Sequence, residues 1–95
     1  MIITGKKILD EFKKLHADAR SDLESWESCV GEDMWDSPHD IKNGYPKASI
    51  LKDKNVVFNI LGNKYRLWTK VAYKTKTLII KKIGTHKDYD DWEIK

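Results

Sequence analysis

Val56-Val57-Phe58-Asn59-Ile60-Leu61-Gly62-Asn63-Lys64-Tyr65-Arg66-Leu67-Trp68-Thr69-Lys70-Val71-Ala72-Tyr73 is the stretch that decides the fold. Val56, Phe58 and Ile60 alternate with Val57, Asn59 and Leu61, the period of two that a strand needs to send successive side chains to opposite faces. Gly62-Asn63 puts glycine first in a two-residue hairpin loop, as a type II′ turn requires. The return strand then presents Tyr65, Leu67, Thr69, Val71 and Tyr73 on one face, and Arg66, Trp68, Lys70 and Ala72 on the other. Lys74-Thr75-Lys76 turns the chain again, and Leu78-Ile79-Ile80-Lys81-Lys82-Ile83 brings it back as a third strand.

Upstream the period changes. Ile8, Phe12 and Leu15 recur at helical spacing, with Thr4 placed to cap that helix and residues 1–4 suited to an edge strand. After a break at His16-Ala17-Asp18, with Asp18 as the next cap, Ala19, Leu23, Trp26 and Val30 form an apolar stripe over three turns. Asp22, Glu24 and Glu27 face away from it, and Gly31 ends the helix. Ser37-Pro38-His39-Asp40 predicts one short helical turn, with proline at its first position. Residues 43–53 read as a loop in which Ile50-Leu51 begin strand pairing. The expectation is an α+β sandwich, two N-terminal helices packed on one face of a small antiparallel sheet.

Ninety-five residues allow one domain over 1–95, without room for a deep cavity, so a substrate is expected to lie across an open face. No apolar run approaches the roughly 20 residues that cross a bilayer. The opening Met1-Ile2-Ile3-Thr4-Gly5-Lys6-Lys7 has the wrong order for a signal peptide. The one cysteine, Cys29, has no partner for an internal disulfide and is expected to be a reduced, partly buried thiol in a cytoplasmic protein. The formal net charge of +3 conceals a split. Residues 1–41 carry five Lys and Arg against ten Asp and Glu, whereas residues 42–95 carry thirteen against five. A basic half of this kind points to a polyanion such as nucleic acid, although lysines also blunt exposed strand edges.

Arg66 is the first candidate for chemistry. A guanidinium in mid-strand, on the polar face with Lys70, suits bidentate grip on a phosphate and stabilisation of charge developing there. His86 follows Gly84-Thr85 just past the last strand, with Tyr89 three residues on, and an imidazole titrating near ~6.5 can move a proton at neutral pH. His16 and His39 lie at a helix break and a proline turn, and read as structural. Asn63, Lys64, Trp68, Lys70, Lys81, Lys82 and Lys87 are the candidate RNA-contacting residues, Trp68 by stacking a base or else by packing in the core. The acids Asp88, Asp90, Asp91 and Glu93 lack the ligand order of a calcium loop, and no phosphate loop or nucleophile elbow occurs.

Four stretches together, Trp35-Asp36-Ser37-Pro38-His39-Asp40-Ile41, Val57-Phe58-Asn59-Ile60, Gly62-Asn63-Lys64-Tyr65-Arg66-Leu67 and Thr85-His86-Lys87-Asp88-Tyr89-Asp90, resemble the HigB family of toxins. These are small ribonucleases of the RelE-like class found in toxin–antitoxin pairs. The resemblance implies a RelE-like fold and cleavage of messenger RNA, commonly on the ribosome, by the ribose 2′-hydroxyl without metal or other cofactor. It also implies a helix-turn-helix (HigA-like) antitoxin as partner, and no membrane. By the same resemblance Arg66 is the phosphate clamp, His86 the proton carrier and Tyr89 its neighbour, with Lys64, Lys81 and Lys87 binding RNA. One departure stands out: the last strand ends Lys-Lys-Ile where the family pattern leads one to expect an arginine, which passes the basic role to Lys81 or Lys82.

A basic sheet also serves a binding module, for example a RelE-like inhibitor of a gyrase-type protein, or a purely structural interaction protein. A binder needs the charge but not the proton-moving His86.

Overall fold

A computed structural model describes residues 1–94. Strands Ile2–Thr4 (β1), Ser49–Ile50 (β2), Asn55–Ile60 (β3), Tyr65–Ala72 (β4) and Thr77–Thr85 (β5) form one sheet in the order β1-β5-β4-β3-β2. The β2–β3–β4–β5 portion is antiparallel, as the hairpin signals require. The edge strand β1 joins parallel to β5, with Ile3 opposite Leu78. No tight turn links these two strands, so nothing in the connection imposes an antiparallel sense. Helices Lys6–Leu15 (α1) and Arg20–Glu32 (α2) cover one face, Pro38–Gly44 (α3) leads into β2, and His86–Asp90 (α4) follows β5 directly.

The core lies between helices and sheet. Leu9 and Phe12 from α1, and Leu23, Trp26 and Val30 from α2, pack with Phe58, Ile60, Tyr65, Leu67, Val71, Leu78 and Ile80. Each such side chain, fully buried, stabilises the fold by about 1.5–3 kcal/mol before entropy is counted. Phe58 is the hub: its ring centroid lies 5.3 Å from Trp26, 6.1 Å from Trp35 and 5.2 Å from Tyr45. The β4 alternation holds: Tyr65, Leu67, Thr69 and Val71 are buried, and Arg66, Trp68, Lys70 and Ala72 are half-buried on the other face. Among the described residues no helix is long and apolar enough to cross a membrane.

Local details differ from the sequence reading. Leu15 is 80% exposed, and Leu9 takes its place on the buried side of α1. Gly5, not Thr4, precedes α1, and Asp18 does not cap α2. Its carboxylate instead accepts from the Tyr65 hydroxyl at 2.8 Å and from the Lys64 ammonium, which stitches the α1–α2 break to the start of β4. His16 belongs to the same structural knot, stacked on Phe12 with ring centroids 4.2 Å apart. Cys29 is exposed rather than partly buried, because it sits one position off the Leu23–Trp26–Val30 stripe. The turn expected after Ser37 extends to the seven residues of α3.

Two irregularities shape the sheet. Gly62 has φ +67 at the first central place of the β3–β4 turn, and Lys64 N donates to Leu61 O at 3.2 Å. Leu61 is left-handed as well (φ +52), so the ladder closes one residue earlier on each side, at Ile60–Tyr65, and the loop has four residues. The Leu61 N–H, turned outward, is taken by the Asp22 carboxylate at 2.9 Å. In β5, Trp68 pairs with Lys82 but Thr69 with Ile80, so Lys81 is the extra residue of a β-bulge. Strict alternation from buried Ile80 would turn Lys82 into the core. The bulge resets the phase, so that Lys81 and Lys82 are both exposed and Ile83 packs against the core.

Candidate active site

The helix-free face of the sheet carries Asn59, Arg66, Trp68, Lys70 and Lys82, and α4 folds back over one end of it. A capping box starts α4: Thr85 Oγ1 accepts from Asp88 N at 3.1 Å, and Thr85 N donates to Asp88 Oδ2 at 3.0 Å. The fold-back needs glycine at position 84. A Cβ there would lie 2.8 Å from Asp88 Oδ2, 2.9 Å from its Cβ and 3.2 Å from Trp92. Gly84→Ala is therefore expected to push Asp88 off Thr85 and loosen α4, read as shifted amide resonances at Thr85 and Tyr89. An unchanged spectrum there would mean that α4 is held some other way.

Hydrogen bonds from Thr85, its backbone N–H above all, hold the Asp88 carboxyl below the usual carboxylate range. A lowered pKa means that folding favours the ionised form. The cap's contribution is thus fully present above the ordinary carboxylate pKa of about 3.9 and is lost as pH falls through the lower folded value. Acidification below about pH 4 is expected to release α4 from the sheet, visible as a change in the Thr85 amide and in Trp92 emission. A pH-independent signal down to global unfolding would contradict this.

Arg66 is held on two sides. Its Nη1 donates to Asn63 O at 2.9 Å, and its Cζ lies 5.9 Å from the Tyr89 ring centroid, a cation–π contact. Asn63 is fixed in turn, its Oδ1 accepting from Asn59 Nδ2 at 3.1 Å. Among the described residues the Arg66 Nε and Nη2 donors have no protein acceptor, which leaves three N–H groups for an anion. Tyr89 also touches His86 edge-on, with ring centroids 6.4 Å apart. His86 is exposed, with Nδ1 3.7 Å from Asp90 Oδ2. A fixed cation, a phenol and a solvent-facing imidazole beside a carboxylate make a site able to bind a phosphodiester and move a proton.

The other candidates are distributed unevenly. Trp68 lies on this face, but its Nε1 donates to Asn55 Oδ1 at 2.8 Å and Trp92 covers it, with centroids 6.2 Å apart. Lys82 stands opposite Trp68, Lys81 occupies the bulge, and Lys87 lies on α4. Along with Lys70, none of these has a carboxylate within 4.0 Å among the described residues. Lys64 stands apart, paired with Asp18 on the helix side. Sequence reasoning missed Asp88 and Trp92. The Thr85-x-x-Asp88 capping spacing signalled the first, whereas nothing in the sequence announced that Trp92 would fold back. No three His, Cys, Asp or Glu side chains converge as a metal site among the described residues.

The profile of a family described as HigB_toxin, the RelE-like toxic component of a toxin–antitoxin system, matches residues 19–92. The chain is 28% identical over 91 residues to a protein of Escherichia coli named mRNA interferase toxin HigB. That match covers 94% of this chain and 86% of the relative. A Shigella flexneri protein named mRNA interferase HigB matches with the same identity and coverage.

Proposed function

The chain belongs to the HigB family of RelE-like toxic components of toxin–antitoxin systems, and on that premise we propose that it is an endoribonuclease that cleaves messenger RNA in the cytoplasm, in association with the ribosome. Residues 1–95 act as one toxin domain, and a HigA-like helix-turn-helix antitoxin neutralises it. The relatives' name, mRNA interferase, supports the substrate class.

The observation that carries this reading is Arg66, locked by Asn63 and Tyr89 with three donors facing solvent, beside an exposed His86. Arg66 grips the scissile phosphate and stabilises the charge that gathers on it in the transition state. His86 takes the proton from the ribose 2′-hydroxyl, whose oxygen attacks phosphorus. The bond to the 5′-oxygen breaks, and that oxygen takes up a proton from solvent. The products are a 2′,3′-cyclic phosphate and a 5′-hydroxyl, with no cofactor required. Tyr89 keeps cation and imidazole in register. Lys70, Lys81, Lys82 and Lys87 contact the RNA backbone, Trp68 supports Trp92, and Asn63 acts by positioning Arg66. Lys64 contacts RNA only by exchanging its Asp18 partner for phosphate.

Induction of this protein alone is expected to arrest growth and truncate translated messages, with growth restored by co-expression of the antitoxin. Normal growth with intact transcripts, at confirmed soluble expression, would overturn the toxin reading. Growth arrest with intact transcripts would instead favour the binding-module alternative.

A further inference from the structure

A cleft of about 610 Å³ lies beside the cluster just described, at the end of β5 that β1 leaves uncovered. It is a bay open to solvent, with room for a flat base against one wall and no enclosed cavity. Ile8 and Ile83 supply its apolar wall, Trp92 an indole, and Lys81, Lys82, Asp88 and Asp91 its polar groups. We propose that this cleft reads an unpaired guanine of the RNA substrate, the Trp92 indole stacking on the base, the Asp91 carboxylate accepting from its N1–H and N2–H groups, and a β5 lysine donating to O6. The inference rests on the ribonuclease reading and adds to it a base preference.

The donor pattern singles out guanine. A carboxylate offers two adjacent acceptors. Guanine alone presents two adjacent donors, N1–H and the 2-amino group, with the O6 acceptor next to them for an ammonium. Adenine and cytosine pair one amino group with an unprotonated ring nitrogen, which would face a carboxylate oxygen lone pair to lone pair. Uracil has a single N–H between two carbonyls.

Asp91 and Asp88 are not equivalent here. Asp88 is committed to the Thr85 cap, whereas the Asp91 side chain has no hydrogen bond or ion pair among the described residues. The bulge at Lys81 sends two successive lysines outward at this point, so one can meet O6 while the other meets a phosphate. Trp92 ties the cleft to the catalytic cluster, with its ring 5.8 Å from Tyr89 and 6.2 Å from Trp68. A base stacked on Trp92 therefore belongs to a nucleotide at a fixed place close to the phosphate held by Arg66.

The test has a binding arm and a cleavage arm. The intact protein is titrated with the 5′-monophosphates of guanosine, adenosine, cytidine and uridine, followed by amide resonances. GMP is expected to bind roughly tenfold or more tightly than the others, in keeping with a bidentate base contact, and to shift Lys81, Lys82, Asp91 and Trp92. Asp91→Asn, which exchanges one acceptor for a donor at an exposed position, is expected to bring GMP down to the level of AMP. On randomised messages with ribosomes supplied, guanine is expected at one fixed position beside the cut, and Asp91→Asn is expected to flatten that preference. Equal binding of the four nucleotides, or GMP shifts confined to other residues, would overturn the inference. So would cleavage indifferent to guanine, which would leave the ribonuclease reading intact. Selective GMP binding at these residues without any RNA cleavage would uphold the cleft and overturn the ribonuclease.

Discussion

Arg66→Ala is expected to lower RNA cleavage by roughly 10²–10³-fold and to weaken RNA or ribosome binding, the scale seen when one donor to a developing oxyanion is lost. His86→Ala is expected to lower cleavage by roughly 10²–10⁴-fold with binding nearly intact, because it removes proton transfer but no fixed cation. The contrast follows from where the two residues sit. Arg66 stands at the turn end of the central strand β4 and is braced by Asn63 O and the Tyr89 ring, so it is in place before substrate arrives. His86 lies on the five-residue α4, exposed, edge-on to Tyr89 and 3.7 Å from an Asp90 carboxylate oxygen. Both variants should fold, since neither side chain belongs to the core. Antitoxin binding and thermal unfolding check this. Normal cleavage by a folded His86→Ala protein would make His86 structural and move proton transfer to Tyr89 or a lysine.

Phe58→Ala is expected to destabilise the fold by about 3–5 kcal/mol, at the large end for single substitutions. Phe58 is 1% exposed and its ring meets Trp26, Trp35 and Tyr45. Its loss opens a void at the junction of α2, the segment before α3, and the sheet. Rigid indoles cannot collapse into that space without leaving their rotamers. For a domain of this size the loss corresponds to a fall in Tm of more than about 12 °C. Urea or thermal unfolding measures it, and a cost below about 1 kcal/mol would show that the aromatic hub is not what joins these elements.

Much of this arrangement was legible in the sequence, for identifiable reasons. The two-residue period of β4 and the stripe Ala19–Leu23–Trp26–Val30 fix which sides are buried, whereas in β3 Asn55 and Val57 are buried on the other face as well. Arg66 was readable as polar-facing from the same alternation. What escaped was set by tertiary packing. Leu15 fits a helical stripe on spacing, yet α1 stops there and leaves it in water. Asp18 fits a cap position, yet a buried Tyr65 hydroxyl and Lys64 compete for its carboxylate. The bulge was written in Ile80-Lys81-Lys82-Ile83, whose apolar spacing of three contradicts a regular strand. The return of Trp92 over Trp68 depends on Gly84 leaving room beneath it, a three-dimensional condition that no local pattern expresses.

In the proposed mechanism Arg66 and His86 serve attack by the ribose 2′-hydroxyl on its own phosphate. The most direct measurement is the chemical identity of the 3′ end left on RNA cut by the purified protein, with ribosomes supplied. A 2′,3′-cyclic phosphate, its yield lowered roughly 10²–10³-fold by Arg66→Ala, is the expected result; a free 3′-hydroxyl would contradict it.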